Sequence, residues 1–226
     1  IYLIAIASLF AFSRDQEEEA DRLGFERAVA SGYAPASAAN LWRSLQAERA
    51  SSDFPKVRNE LATASIFASH PLTTFRVTAL DALAKDRTGG QDTGRARYRA
   101  TIRPHLSAWL KDDLRRRDYG QTLHLIERLA ADGEDLGVLN FYRGEAFRRR
   151  RSDGDGALAL AAYVAASQNP DAPVAVWREI GDLQLRAGQN DLARAAYEAY
   201  LAKAPTAQDR WLVEANLKKL TGTSGS

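Results

Sequence analysis

The chain has 226 residues, 45% of them hydrophobic and 27% charged, enough to bury a core in one large or two small globular domains. Lys and Arg total 31 against 29 Asp and Glu, a balance that lacks the strongly basic face nucleic-acid binding requires. There are no cysteines, which excludes disulfides, thiolate zinc sites and a cysteine nucleophile within these residues.

The chain opens on Ile1 and contains no Met, which reads either as a beginning that lies upstream or as methionines missing from the sequence. Its first stretch, "IYLIAIASLFAF", is shorter than the roughly 20 apolar residues of a membrane span. It also lacks the basic start and cleavage site of a signal peptide, so a buried helix is predicted and no transmembrane span. That helix continues, amphipathic, to about Ala30 and carries "SRDQEEEADRLG", Ser13 to Gly24. Gly32 suits the position just past a helix, and Pro35 the first turn of the next. "PASAANLWRSLQAERA" is the second helix, with Ala38, Leu41, Trp42 and Leu45 on one stripe. "SSDFP" breaks the pattern. "SHPLTTFRVTALDALAK" then reads as a His-Pro turn and a helix with Val77, Leu80 and Leu83 spaced for burial. "DRTGGQDTG", Asp86 to Gly94, has three glycines and no large apolar residue, and is expected to link a domain at 1–85 to one at 95–221. Residues 222–226 are expected to be a disordered tail. No strand-like alternation occurs, and the fold is predicted to be all-α.

The second half repeats itself. In "APVAVWREIGDLQLRAGQNDLARAAYEAYLAKAP", Trp177, Ile180 and Gly181 have W-x2-L-G spacing, Ala193 and Tyr197 have A-x3-F spacing, and Pro205 closes the unit. This resembles a tetratricopeptide repeat, with Gln184 and Tyr200 departing from the usual pattern. Gly181 and Ala193 are small enough for two antiparallel helices to approach, and Trp177 and Tyr197 fill the space around them. A looser copy precedes it, with Gly144, Ala159, Tyr163 and Pro170 in the matching places, and "LSAWLKDDLRRRDYGQTLHLIERLAADG" is a candidate third. The last helix, about Ala207 to Leu220, is expected to cap the stack. Arg148 to Arg151 at a helix–helix turn read as solvated charge, with an acidic peptide or lipid headgroup as the alternative. His105 and His124 are assigned no chemistry.

The acidic stretch is where chemistry is predicted. Glu17 and Asp21, four residues apart, share a helix face about 6 Å apart, while Glu18 and Glu19 point elsewhere. A glutamate run alone is ordinarily a solvated face. A carboxylate on a mostly buried helix instead needs a partner, and a metal ion is one. No Lys stands four residues from Glu17 to serve in its place.

"SRDQEEEADRLG", with the aliphatic run before it, resembles the downstream motif of zinc metallopeptidase family forty-eight, which includes the HtpX-type and BepA-type proteases. "SGYAPASAANLW" is similar to that family's helix break, and "ASHPLTTFR" to its His-Pro segment, here His70 with Arg76 six residues later. The resemblance covers about residues 1–85. It implies the helical C-terminal half of a zincin-type peptidase domain, followed by a short tetratricopeptide-like α-solenoid as in the BepA-type branch. It implies Glu17 as a zinc ligand and Asp21 as the group that orients a ligand histidine. Arg76 would stabilise an oxyanion or hold substrate, and His70 is a candidate for the open fourth position on the metal, which would keep the enzyme latent. The zinc ion would need two further histidines and a glutamate from an HExxH helix. None of the three histidines lies in such a motif, so the pair is expected upstream of Ile1, and this chain alone is expected to be inactive. In the intact parent, zinc would lower the pKa of a bound water to about 7 for attack on a peptide carbonyl. The resemblance further implies protein or peptide substrates, a partner protein on the repeats, and envelope protein quality control in the bacterial periplasm. The alternative is a non-catalytic helical-repeat adaptor whose peptidase half has decayed.

Overall fold

The computed structural model describes the backbone of residues 2–60 and 73–222 and the side chains of 15–59 and 74–220. Among the described residues it is all-α, with one isolated β-bridge and no strands. The chain divides into two compact units, residues 1–104 and 105–226. Among the described residues no helix is long and apolar enough to cross a membrane.

The first unit contains α1 (Tyr2–Ala30), α2 (Ala36–Ala50), α3 (Pro55–Glu60), α4 (Thr73–Lys85) and α5 (Arg95–Ile102). Its small core joins Phe25 of α1, Ala39 of α2 and Leu80 of α4, with Val29, Ala38, Trp42, Leu83 and Ala84 packed around them. The predicted stripe on α2 is corrected here. Ala38 and Trp42 pack inward, but Leu41 and Leu45 are exposed, and it is Ala39 that is fully buried. The buried side of α2 is thus centred a small residue away from its two leucines, because α4 approaches the helix over Ala39. Ion pairs between Arg43 and Asp81, and between Arg87 and Glu26, lie at the rim of this packing.

The glycine-rich stretch at 86–94 folds back onto the turn between α1 and α2. The amide of Ala34 donates to the carbonyl of Asp92 at 2.8 Å, and Tyr33 and Asp92 form the isolated bridge. A Cβ added at Gly90 would lie 1.6 Å from the carbonyl oxygen of Gly32, so only glycine allows this approach of two backbones.

The second unit contains α6 (Leu106–Asp113), α7 (Tyr119–Ala130), α8 (Leu136–Arg150), α9 (Asp155–Ser167), α10 (Ala175–Arg186), α11 (Asn190–Lys203) and α12 (Arg210–Gly222). α8 with α9, and α10 with α11, form two hairpins built to one plan. A Cβ on Gly144 would lie 2.5 Å from the ring of Tyr163, and a Cβ on Gly181 would lie 2.5 Å from the ring of Tyr197. The small residue is what allows the tyrosine of the second helix to lie flat on the first. The residue after each glycine is acidic and accepts the tyrosine hydroxyl: Tyr163 to Glu145 at 2.6 Å, Tyr197 to Asp182 at 2.7 Å. Burial, together with the adjacent carboxylate, holds both tyrosines well above the ordinary phenol range. Asp171, in the turn after α9, accepts from the amides of Gly137 and Val138 at 3.1 and 3.2 Å and so caps α8. The distal core joins Ala193, Tyr197 and Tyr200 of α11 to Val213 and Leu220 of α12.

This plan sets the sign of a substitution. Alanine normally favours a helix over glycine by about 1 kcal/mol. Gly181→Ala is expected to do the opposite, destabilising the unit by about 1–3 kcal/mol, because the Tyr197 ring is held by its hydroxyl bond and cannot yield cheaply. A thermal melt checks this, and an unchanged or raised Tm would contradict the close packing.

Candidate active site

Glu17 and Asp21 lie one turn apart on α1, and α4 brings Arg76 to both. The Arg76 Nε donates to Asp21 Oδ2 at 2.6 Å and its Nη2 to Oδ1 at 2.5 Å, a two-pronged pair across 55 positions of sequence. Its third nitrogen, Nη1, lies 3.1 Å from Glu17 Oε2. The guanidinium carbon sits 3.7 Å from the centre of the Trp42 ring on α2. Three helices therefore converge on one cation: α1 supplies two carboxylates, α4 the guanidinium, α2 the aromatic face beneath it. The side chains of Arg76 and Asp21 are 15% and 16% exposed and that of Glu17 is 28% exposed, so the cluster is sheltered without being sealed.

The three described residues that the sequence picked out for chemistry, Glu17, Asp21 and Arg76, are thus brought together. Glu18, Glu19 and Ala20 are exposed. His70 and Pro71 lie outside the described residues. The partner of the carboxylates is an arginine from another helix, where the sequence reading looked for a metal or a lysine on the same one. Arg76 ties Asp21 by two hydrogen bonds and Glu17 by one longer contact, so Glu17 is the carboxylate it holds less firmly.

Trp42 entered the sequence reading as a packing residue only. Its role under Arg76 carries no local signal, because the cation–π contact joins positions far apart in the chain. The acids that follow Gly144 and Gly181 were also missed, although the repeated pairs Gly-Glu and Gly-Asp at one place in two copies were a visible cue. Of the arginine run, Arg148 and Arg149 bond to Glu145 and Arg150 bonds to Asp155. Three of its four charges are therefore spent within the fold. His105 stacks on Trp109, with ring centres 5.4 Å apart.

Catalytic zinc takes three protein ligands, and a structural site takes four. Among the described residues no group of three or more His, Cys, Asp or Glu side chains could hold a metal. The two carboxylates present are spanned by a guanidinium. The described residues therefore do not make a zinc site by themselves.

Residues 1–84 match the model of Peptidase family M48. The matched stretch contains Glu17, Asp21, Trp42 and Arg76 and ends within the last turn of α4. No curated protein and no solved structure matches the chain.

Proposed function

From the Peptidase family M48 match over residues 1–84, we propose that this chain is the C-terminal portion of a zinc metalloendopeptidase of the BepA/HtpX type, with a tetratricopeptide-like second unit that binds substrate or partner proteins. The observation that carries this reading is the convergence of Glu17, Asp21 and Arg76 inside the matched stretch. Glu17 is the carboxylate that serves as zinc ligand, beside two histidines from a preceding HExxH helix. When bound, zinc supplies Lewis acidity toward a peptide carbonyl.

The chain's own residues then have distinct tasks. Asp21 is held rigid by Arg76 and orients a neighbouring imidazole through a carboxylate oxygen. Arg76, braced on Trp42, keeps positive charge at the edge of the carboxylate pair, where a developing oxyanion or a substrate carbonyl is stabilised. His70 is the candidate for the remaining metal position. The setting consistent with this branch is the bacterial periplasm, in protein quality control, and the chain without the HExxH helix is inactive.

A specific observation favours a second reading, a non-catalytic helical-repeat adaptor. Glu17 already faces a guanidinium, and a carboxylate neutralised in this way needs no metal. Zinc content separates the two. Protein extended upstream through an HExxH helix is expected to hold one zinc per chain by elemental analysis, and Glu17→Gln is expected to lower its zinc affinity by about 10–100-fold or more, at least the loss typical of residues that only support a ligand. Equal zinc in both proteins, or none in either, would leave the adaptor standing.

A further inference from the structure

Of the positions at which the two hairpins of the second unit differ, two adjoin a groove. In α10 the residues four and one before Gly181 are Trp177, packed against the Ala193–Tyr197–Tyr200 core, and Ile180, which is buried. In α8 the residues four and one before Gly144 are Asn140 and Arg143. Polar side chains therefore stand where the sister hairpin has apolar filling. There the structure has an open cavity of about 440 Å³, within the range of roughly 300–1,000 Å³ typical of ligand sites. Its apolar lining comes from Leu123 of α7, Phe147 of α8 and Leu158 of α9, and its polar lining from Glu127, Asn140 and Arg143.

The charges in this groove are unmatched. The Arg143 Nη1 donates to Asn140 Oδ1 at 3.3 Å, and among the described residues Arg143 has no carboxylate partner. This sets it apart from Arg148, Arg149 and Arg150 on the same helix, each of which is paired. Glu127 lines the same groove from α7 and does not pair with Arg143. A half-buried guanidinium beside a side-chain amide is a fork for one carboxylate, and the apolar lining around it suits hydrophobic neighbours of that carboxylate. Toward such a segment the Glu127 carboxylate would accept from main-chain N–H groups and repel a second acid.

The lining residues of α8 run from Asn140 to Phe147, about 10 Å at the helical rise, which matches about three residues of extended chain at roughly 3.3 Å each. The exposed side chains of Leu158 and Glu127 leave the groove open to solvent. We infer that this groove between α7, α8 and α9 binds an extended internal segment of a protein in which one acidic side chain is flanked by apolar ones, the acid seated on Arg143 and Asn140. The inference rests on the reading of the second unit as a protein-binding module and names its site and ligand chemistry. It needs nothing from the peptidase reading.

Calorimetric titration of the full chain with short peptides of core Val-Leu-Glu-Leu-Val, acetylated and amidated so that the central side chain is the sole carboxylate, tests it. The Glu peptide is expected to bind saturably, its Gln analogue about tenfold or more weakly, and its Lys analogue not at all. Arg143→Gln is expected to erase the preference for Glu over Gln, Arg143→Lys to keep part of it, and Leu158→Asp to abolish binding. Both sites are at least partly exposed, so the variants are expected to melt as the parent does. Equal binding of the Glu and Gln peptides, a preference that survives Arg143→Gln, or no saturable binding overturns the inference. Binding that persists in Leu158→Asp also overturns it but leaves the second unit a protein-binding module with its site elsewhere.

Discussion

Replacing Glu145 with alanine is expected to cost the second unit about 3 kcal/mol, a fall in Tm of about 10 °C. The Glu145 side chain is 7% exposed and accepts from Arg148 Nε and Nη2 at 3.0 and 2.8 Å, from Arg149 Nη2 at 2.9 Å and from the Tyr163 hydroxyl at 2.6 Å. Alanine would leave two guanidinium groups and a buried hydroxyl short of their acceptor at once, and the cost of an orphaned buried donor exceeds the worth of the bond. Glu145→Gln keeps an acceptor for Tyr163 and loses the charge, so an intermediate Tm is expected. The acid limb of stability should change as well. Burial alone would raise the pKa of Glu145, but hydrogen bonds from Arg148 and Tyr163 and the Arg148 charge outweigh it and hold the carboxyl below the usual range. The hydrogen bond from Arg150 holds Asp155 low against its own burial. Carboxyls lowered by folding give stability that is complete above the unfolded value of about 4 and is lost as pH falls through their folded values, because the unfolded chain binds more protons in that window. Melts from neutral to strongly acid pH should therefore show Tm falling with acid, less steeply in Glu145→Ala. An unchanged Tm in that variant at neutral pH would show that the network adds nothing to the fold.

The second large effect is expected at Arg76. Arg76→Ala removes the cation between Asp21 and Glu17 and leaves two like charges one turn apart on a sheltered face of α1. A loss of about 2–3 kcal/mol is expected, below the 3–5 of a fully buried pair because all three side chains keep some contact with water. Arg76→Lys should restore less than half of it, since an ammonium can neither grip both oxygens of Asp21 nor lie flat on Trp42. Amide hydrogen exchange along α1 and α4 is the suitable measurement, because it reads the first unit separately from the second. Exchange as slow in Arg76→Ala as in the parent would show that the Arg76 cluster adds nothing to the packing around Phe25, Ala39 and Leu80.

Much of this arrangement was legible in the chain. The all-α class follows from the absence of alternation and from helix stops such as Gly32. The four-residue spacing of Glu17 and Asp21 placed both on one face, and Arg76 stood out only through the resemblance of "ASHPLTTFR" to a family's His-Pro segment. The partnership itself was not legible, since nothing local tells that α4 returns to α1 with its arginine over Trp42. Leu41 and Leu45 misled because spacing reports which residues share a stripe, not which stripe the next helix covers; here α4 covers Ala39. The glycines at 89 and 90 read as part of a linker by composition, and Gly90 has a further reason to be glycine, since the turn at Gly32 presses on it. In the second unit the small-residue pattern was readable, while the acids beside it carry their meaning only once each tyrosine hydroxyl is seen to end there.

One bond in the second unit constrains how such a protein can lengthen. Arg148 of the first hairpin reaches Glu179 of the second at 3.4 Å, and Glu179 also takes Arg178 at 2.6 Å. Stacked helical modules otherwise tolerate the insertion of a further copy, because each module touches only its neighbours. Here the joint is ionic and handed. A newcomer spliced between the hairpins would have to offer a glutamate to Arg148 on one side and an arginine to Glu179 on the other. A duplication of either hairpin alone would leave one of those contacts unmade, while Arg148 keeps Glu145 and Glu179 keeps Arg178, so charge would bias the register of a longer stack without forbidding it.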